Sequence, residues 1–436
     1  MKTINRRSGA VLILAVALLL GLVFYIWRFA AEGRRWVELR VNGNVFQNGI
    51  PVSGTVTDRN GLVLAAAEDG SWSFAEDAEI RAACLHAVGD AEGNIGTGAL
   101  TAFADALSGY SVVSGVTGAG TVALSIDAAL NETACNALAG RKGAVLLSDY
   151  TTGEILCMAS SPGYDPDTGF DESDPYYSGV WLNRALSAAY TPGSVFKLVT
   201  LAAAIERIPD LYERDFVCAG SVTVDGNAIT CPSAHGTQTI EQTLANSCNC
   251  AFAELSLELG GGTLKAYAEK FGLTSSLSAS GIAAASGNFD AAPDASADLA
   301  WSGIGQSTDL LCPAALLRYV GAIANSGVAA GPVLRSGERA ETARLLSEDT
   351  ASKLKAMMNY AVVSAYGTWN FPGLTLCAKS GTAEVGDGSS HAWFTGFLSD
   401  DEEHPYAFVV VIEQGGGGLA NAGPVANAVL QAACGA

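Results

Sequence analysis

From Gly9 to Trp27 the sequence runs nineteen residues without a charge and is rich in Leu, Val and Ala. A helix needs about 20 apolar residues to cross the hydrocarbon core of a bilayer, so this stretch marks either a membrane helix or a secretion signal. The run exceeds the apolar core of an ordinary signal peptide, and Phe29-Ala30-Ala31 is a poor cleavage site; both points favour a retained anchor at residues 9–29 behind a cytoplasmic tail at 1–8. Lys2, Arg6 and Arg7 before the span face Arg28, Arg34 and Arg35 after it. Flanking charge alone therefore leaves the orientation open.

The remainder is long and apolar enough to bury large cores: the chain has 436 residues and is 49% hydrophobic, which suggests two or three folded units. Its net charge of −20, from 44 acidic and 24 basic residues, repels nucleic acid and leaves no broad basic stripe. Ten cysteines are too sparse for a disulfide scaffold and include no pair of C-x-x-C knuckles, so most read as small buried apolar residues and no metal site is expected. The C-x-C at Cys248 and Cys250 has no obvious partner in the sequence. Cys218 and Cys231 flank a hairpin turn at Asp225-Gly226. A two-residue turn there makes them diagonal neighbours about 7–8 Å apart, which leaves a disulfide between them an open question.

Residues 30–120 read as short strands and turns, a small β-rich unit. Its clearest signal is Gly54 to Ala65, where Asn60-Gly61 joins two β-branched, alternating stretches into a hairpin. Beyond residue 121 the pattern changes. Gly143–Asp149 and Glu154–Ala159 read as an antiparallel hairpin, followed by helices over 194–207, 249–259 and 263–271. Strands over 374–384, 392–398 and 406–414 and a helix over 425–433 close the chain. Strands at both ends of a helical middle imply one sheet completed by distant segments. Residues 275–300 read as an irregular excursion.

Thr191-Pro192-Gly193-Ser194-Val195-Phe196-Lys197 opens an apolar helix. Residues three apart share a helix face, so the Lys197 amine can reach the Ser194 hydroxyl and serve as the base that a weak serine nucleophile needs. Alone, S-x-x-K is ambiguous: Ser194 also suits a helix cap, and Ser352-Lys353-Leu354-Lys355 repeats the pattern on a polar face. Ser247-Cys248-Asn249 precedes another apolar helix and offers a proton-relaying hydroxyl and an amide that can hold a peptide group; Ser286-Gly287-Asn288 shares the pattern. Lys379-Ser380-Gly381-Thr382 lies on a strand. There Gly381 leaves room for a substrate backbone, and Lys379, Ser380 and Thr382 suit a carboxylate. His391 reads as structural, because a lysine already fills the base position, and Trp393 and Phe394 read as core.

S-x-x-K, S-x-N and K-[ST]-G in this order and these contexts resemble the penicillin-binding proteins and serine β-lactamases. The likeness extends to Ser160–Pro166, Asn183-Arg184-Ala185, His235-Gly236, Gly303-Ile304-Gly305-Gln306 and His391–Phe394, and covers residues 121–436. Asp58-Arg59-Asn60-Gly61 resembles the membrane-proximal pedestal of class B members, although Ser53 stands where their usual Arg precedes the first Gly.

The resemblance implies an α+β fold, an antiparallel five-stranded sheet flanked by helices, with a pedestal at 30–120, a transpeptidase domain at 121–436 and one transmembrane helix. It also implies a peptidoglycan D,D-transpeptidase with its catalytic domain outside the cell membrane. Ser194 would attack D-Ala-D-Ala, Lys197 would be base, Ser247 would relay the proton, Asn249 would hold the acyl amide and Lys379 would supply positive field. Ser380, Gly381 and Thr382 would bind substrate, and the N–H groups of Ser194 and Thr382 would form the oxyanion hole. Peptidoglycan stem peptides and lipid-linked precursor would be substrates, β-lactams covalent inhibitors, and a polytopic SEDS-family glycosyltransferase the partner; no cofactor or metal is implied. No E-x-x-L-N motif occurs, and Gly179 stands where its glutamate would be. With a short pedestal this points to a monofunctional penicillin-binding protein A type. A D,D-carboxypeptidase, a class D-like β-lactamase and a β-lactam sensor or scaffold are the rival readings.

Overall fold

The computed structural model describes residues 2–37, 46–47, 49–68, 70–111, 115–116, 119–399 and 402–435. Helix α1 (Lys2–Val37) contains the expected apolar segment, and Val11–Ala31 is long and apolar enough to cross a membrane. Its large side chains, Leu12, Ile13, Leu19 and Phe24 among them, are exposed. A helix that buries none of this surface against protein suits a lipid environment.

The pedestal hairpin forms as the Asn-Gly signal predicts, from β1 (Gly54–Thr57) and β2 (Val63–Glu68). Asp58 organises the turn, its Oδ1 accepting from the N–H groups of Asn60 and Leu62, each at 2.8 Å. The turn also docks on the larger unit: Asp58 Oδ2 accepts from Ala128 N at 3.3 Å, and Asn60 Nδ2 donates to Asp127 at 2.9 Å. β3 (Ser71–Phe74) extends the sheet on one side, and β4 (Thr121–Ala123) runs parallel to β1 on the other. The pedestal sheet thus reaches past residue 120. Helix α2 (Ala78–Val88), capped by Asp77, stands where the sequence suggested only strands and turns.

The larger unit is built on five antiparallel strands: β5 (Gly143–Asp149), β6 (Ile155–Ser161), β7 (Leu376–Glu384), β8 (Ser390–Leu398) and β9 (Tyr406–Ile412). Their order is β6-β5-β9-β8-β7, which makes β7 an edge strand and confirms a sheet closed by distant segments. Both faces are covered, and alternation sends successive side chains to different cores. Val145, Leu147, Phe408, Val410 and Phe394 join one cluster with α3 (Ala128–Leu138) and the C-terminal helix. Ala144, Leu146, Val409, Val411 and Trp393 join the other, with α4 (Lys197–Arg207), α5 (Asn249–Leu259) and α6 (Pro313–Ala324). Trp393 and Phe394 are both fully buried, as read from the sequence.

Helix α7 (Glu348–Ala361) passes into a π-helical turn at Val362–Tyr366 beside β7. Helix α8 (Gly418–Ala433) begins earlier than expected and carries Pro424 inside it. The true start is set by packing. A Cβ on Gly418 would meet the carbonyl oxygens of Gly381 and Trp393, so only glycine lets the helix approach β7 and β8 this closely.

Candidate active site

The first and third motifs meet through two glycines. Pro192 and Gly193 lead into a 3-10 turn at Gly193–Val195, one residue before α4. Gly193 has φ +55, and a Cβ there would lie 2.6 Å from Thr382 O. Across the gap, a Cβ on Gly381 would lie 3.0 Å from Val195 Cγ1 and 3.1 Å from both Pro192 O and Trp393 Cβ. Gly381 therefore leaves room for the Pro192–Val195 turn to pack against the strand.

Ser194 is half-buried, and among the described residues its hydroxyl makes no hydrogen bond. Lys197 is fully buried, its Nζ donates to Ser247 O at 2.6 Å and Asn249 Oδ1 at 2.7 Å, and it lies 3.2 Å from Ser247 Oγ. The amine thus rests on the second motif rather than on Ser194. Lys379, also fully buried, donates from Nζ to Ser247 Oγ at 3.0 Å and Ser380 O at 2.8 Å. One hydroxyl, that of Ser247, joins the two lysines. Ser247 takes a left-handed backbone, φ +51, and Asn249 Nδ2 donates to Thr230 O at 2.7 Å.

Two buried amines this close disfavour each other's charge. Burial, and then the Lys379 charge, hold the Lys197 amine well below the ordinary lysine range, while the Cys248, Cys231 and Cys250 sulfurs pull the other way. Burial brings Lys379 down to about 7. An amine held toward its neutral form is what a general base requires.

Alternation along β7 separates the carboxylate-binding candidates. Lys379 shares the face of Cys377, Gly381 and Ala383, toward the helices, whereas Ser380 and Thr382 face the C-terminal layer. A site drawing on all three can be built only across the open edge of the strand. Tyr366, which no sequence motif flagged, stands at that edge. Its hydroxyl accepts from Ser380 N at 3.2 Å, lies 3.2 Å from Ser380 Oγ and accepts from Lys379 Nζ at 3.5 Å. The Ser380 N–H therefore points away from β8, and by alternation the Thr382 N–H points to the same open edge, beside the Ser194 turn.

The decoy motifs stay outside this site: Ser352 and Ser286 are exposed, and Asn288 bonds Asp290. His391 is half-buried, its Nδ1 accepts from Gln414 N at 3.1 Å, and its ring packs edge-on against Tyr190, a structural setting as expected. All ten cysteines are free, so Cys218 and Cys231 form no disulfide here. The expectation of cysteines as simple apolar filler fails in one place. Cys218, Cys231, His235 and Cys248 bring their ligand atoms within 4.8 Å of one another directly behind Ser247 and Asn249, and those four residues could hold a metal ion.

Residues 143–431 match the family model of the penicillin binding protein transpeptidase domain. Peptidoglycan D,D-transpeptidase PbpA of Mycobacterium tuberculosis is 29% identical over 331 residues, 67% of each chain. Stage V sporulation protein D of Bacillus subtilis is 41% identical over 123 residues, 28% of this chain and 19% of that one. Among solved structures, the ceftriaxone acyl-enzyme complex of penicillin-binding protein A from M. tuberculosis aligns with a TM-score of 0.73 at 25% identity, covering 87% of this chain and 98% of that one. The D,D-transpeptidase domain from Eggerthella lenta aligns with a TM-score of 0.71 at 26% identity, covering 88% and 98%. With the family model spanning most of its length, the chain belongs to the penicillin-binding protein transpeptidase family, as a class B penicillin-binding protein.

Proposed function

We propose that this enzyme cross-links peptidoglycan stem peptides through an acyl-enzyme on Ser194, and that β-lactams block it by acylating the same hydroxyl. The observation that carries this reading is the single Ser247 hydroxyl shared by Lys197 and Lys379. A hydroxyl between two amines can accept from the charged one and donate to the neutral one, which gives a proton a path between them.

In the first half-reaction neutral Lys197 takes the Ser194 proton as Oγ attacks the carbonyl of the penultimate D-Ala. The N–H groups of Ser194 and Thr382 are the donors for the developing oxyanion. The proton passes through Ser247 to the leaving amine, and D-Ala departs. Asn249 holds the acyl amide, while Lys379, Ser380 and Thr382, reached across the edge of β7, bind the terminal carboxylate. In the second half-reaction an amine from a neighbouring stem attacks the ester, Lys197 takes its proton and returns it to Ser194 Oγ as the ester C–O bond breaks, and the cross-link forms with Ser194 and neutral Lys197 restored.

Helix α1 would anchor the chain in the cell membrane, with a short cytoplasmic tail and the pedestal and transpeptidase units outside. Polymerised glycan would come from a separate polytopic glycosyltransferase of the SEDS family acting beside it. The test is to incubate the full chain in detergent with lipid-linked precursor and a polymerase and to analyse the muropeptides. Cross-linked dimers from wild type and none from Ser194→Ala are expected. Release of D-Ala without dimers would make the enzyme a carboxypeptidase.

A further inference from the structure

Behind the second motif, two small ladders bring distant cysteines together. Phe216–Cys218 pairs with Gly236–Gln238, which places Cys218 opposite Gly236 and next to His235. Ser221–Val224 pairs with Asn227–Thr230 through the Asp225-Gly226 turn and delivers Cys231 to the same spot. Cys248 arrives from the other side, at the start of α5, between Ser247 and Asn249. The Cys231 and Cys248 sulfurs are 3.8 Å apart. Thiolates on a tetrahedral ion with metal–sulfur bonds of about 2.3 Å stand about 3.8 Å apart, whereas a disulfide needs about 2.05 Å.

Two further observations point to a ligand. His235 Nδ1 is buried and has no hydrogen-bond partner, an unfavourable state for a ring nitrogen unless something else occupies its lone pair or takes its proton. Cys231 Sγ accepts from two backbone donors, Asn249 N at 3.0 Å and Cys250 N at 3.4 Å, contacts that hold the sulfur in place within the cluster as outer-sphere hydrogen bonds hold a metal ligand.

We propose that Cys218, Cys231, His235 and Cys248 form a tetrahedral site for a soft divalent cation of the zinc class, and that the bound ion fixes the turn carrying Ser247 and Asn249. Three thiolates and one imidazole are a closed, structural zinc set, and the thiol protons leave on binding. Cys250, whose sulfur is 3.6 Å from Cys231, flanks the site without completing it. The four ligands act on chemistry only through the neighbours of Cys248. Ser247 holds both lysines from a left-handed backbone, and Asn249 holds Lys197, so a turn that slackens misplaces the base and its relay together. This second half of the proposal rests on the Ser194 reading; the metal site itself does not.

The test uses the full chain purified in detergent without chelator. Elemental analysis should find about one zinc per chain in wild type, Ser194→Ala and Cys250→Ala, and far less in Cys231→Ser and His235→Ala. His235→Cys should keep the metal. Cobalt exchanged into wild type should show thiolate-to-cobalt charge transfer and intense tetrahedral ligand-field bands, altered in His235→Cys. Stripping the zinc should slow acylation by fluorescent penicillin by about 100-fold with secondary structure retained, and added zinc should restore it. A chain that takes up no zinc when supplied with it, a Cys231–Cys248 disulfide in the peptide map, or zinc content unchanged in the ligand variants would overturn the site. Unchanged acylation after zinc removal would overturn the positioning role, and Ser194→Ala that still binds zinc separates both results from any failure of the nucleophile assignment.

Discussion

Gly381→Ala probes the contact between the nucleophile turn and the edge strand. The added Cβ would sit 3.0 Å from Val195 Cγ1 and 3.1 Å from Pro192 O and Trp393 Cβ. Trp393 is fully buried and pinned by its Nε1 donating to Thr191 O at 3.0 Å, so it cannot withdraw. The Pro192–Val195 turn must therefore give way by a few tenths of an ångström, and Ser194 lies within it. A shift of about 1 Å at a reacting atom can reduce a rate by about 100-fold, so this smaller one should reduce acylation by about tenfold, or ~1.4 kcal/mol. Overpacking should also destabilise the fold by about 1–3 kcal/mol. The assay is the second-order rate of labelling by fluorescent penicillin, with thermal melting alongside. Gly386→Ala is the control: it sits in the loop after β7, where an added methyl would have nothing within 4 Å, and it should change neither quantity. Labelling of Gly381→Ala within twofold of wild type would refute the claim that this contact sets the position of Ser194.

Other perturbations test the charges and the edge. Tyr366→Phe strands the Ser380 N–H and removes a Lys379 partner, so it should lower stability by about 1–3 kcal/mol and weaken penicillin binding before acylation more than the acylation step. An unchanged melting temperature and binding step would show Tyr366 to be idle. Acylation per free enzyme should rise with pH as Lys197 loses its proton, then fall through about 7 as Lys379 loses its own, a bell whose falling limb moves up once a carboxylate is bound. A rate that climbs steadily to pH 10 would contradict the role given to Lys379. Burial raises the Asp309 carboxyl to about 9, so the folded state binds a proton that the unfolded chain releases, and stability falls as pH rises from about 4 toward 9. Asp309→Asn should therefore raise the melting temperature more at pH 8 than at pH 5, and equal gains at both would show Asp309 to be ionised in the fold.

What the sequence made legible was local. Asn60-Gly61 and Asp225-Gly226 specify turns by backbone conformation within a few residues, and both hairpins form, the second in the two-residue-turn register that sets Cys231 beside Gly220 and the first with a bulge between Val56 and Thr57. The second and third motifs lie just before a helix and on a strand as expected, while Ser194, expected to open the helix, sits in the 3-10 turn ahead of α4; breakers, apolar periodicity and strand alternation are read from neighbours. What stayed hidden depends on distant segments. Nothing near Tyr366 announces that a π-helical turn will carry its hydroxyl to Ser380. Cys218, Cys231, His235 and Cys248 are separated by strands and turns, and their signals were the Asp225-Gly226 hairpin that brings Cys218 near Cys231 and the C-x-C beside Ser247, neither of which showed that the two would meet. Alternation did imply that Lys379 and Ser380 face opposite ways, but which face meets the helices was decided by the packing of β7. Helix α2 was missed because its Ala-rich sequence has little amphipathic contrast, although Asp77, whose side chain caps it, was a usable start signal.

The most direct test of the account is intact-protein mass spectrometry of the full chain after a benzylpenicillin pulse, with peptide mapping of the adduct. Wild type should gain a single penicilloyl group on Ser194 that persists for minutes to hours. Ser352→Ala should behave the same, and Ser194→Ala should gain nothing. Equal labelling of Ser194→Ala would remove Ser194 as the nucleophile, and complete loss of the wild-type adduct within seconds would make the enzyme a β-lactamase.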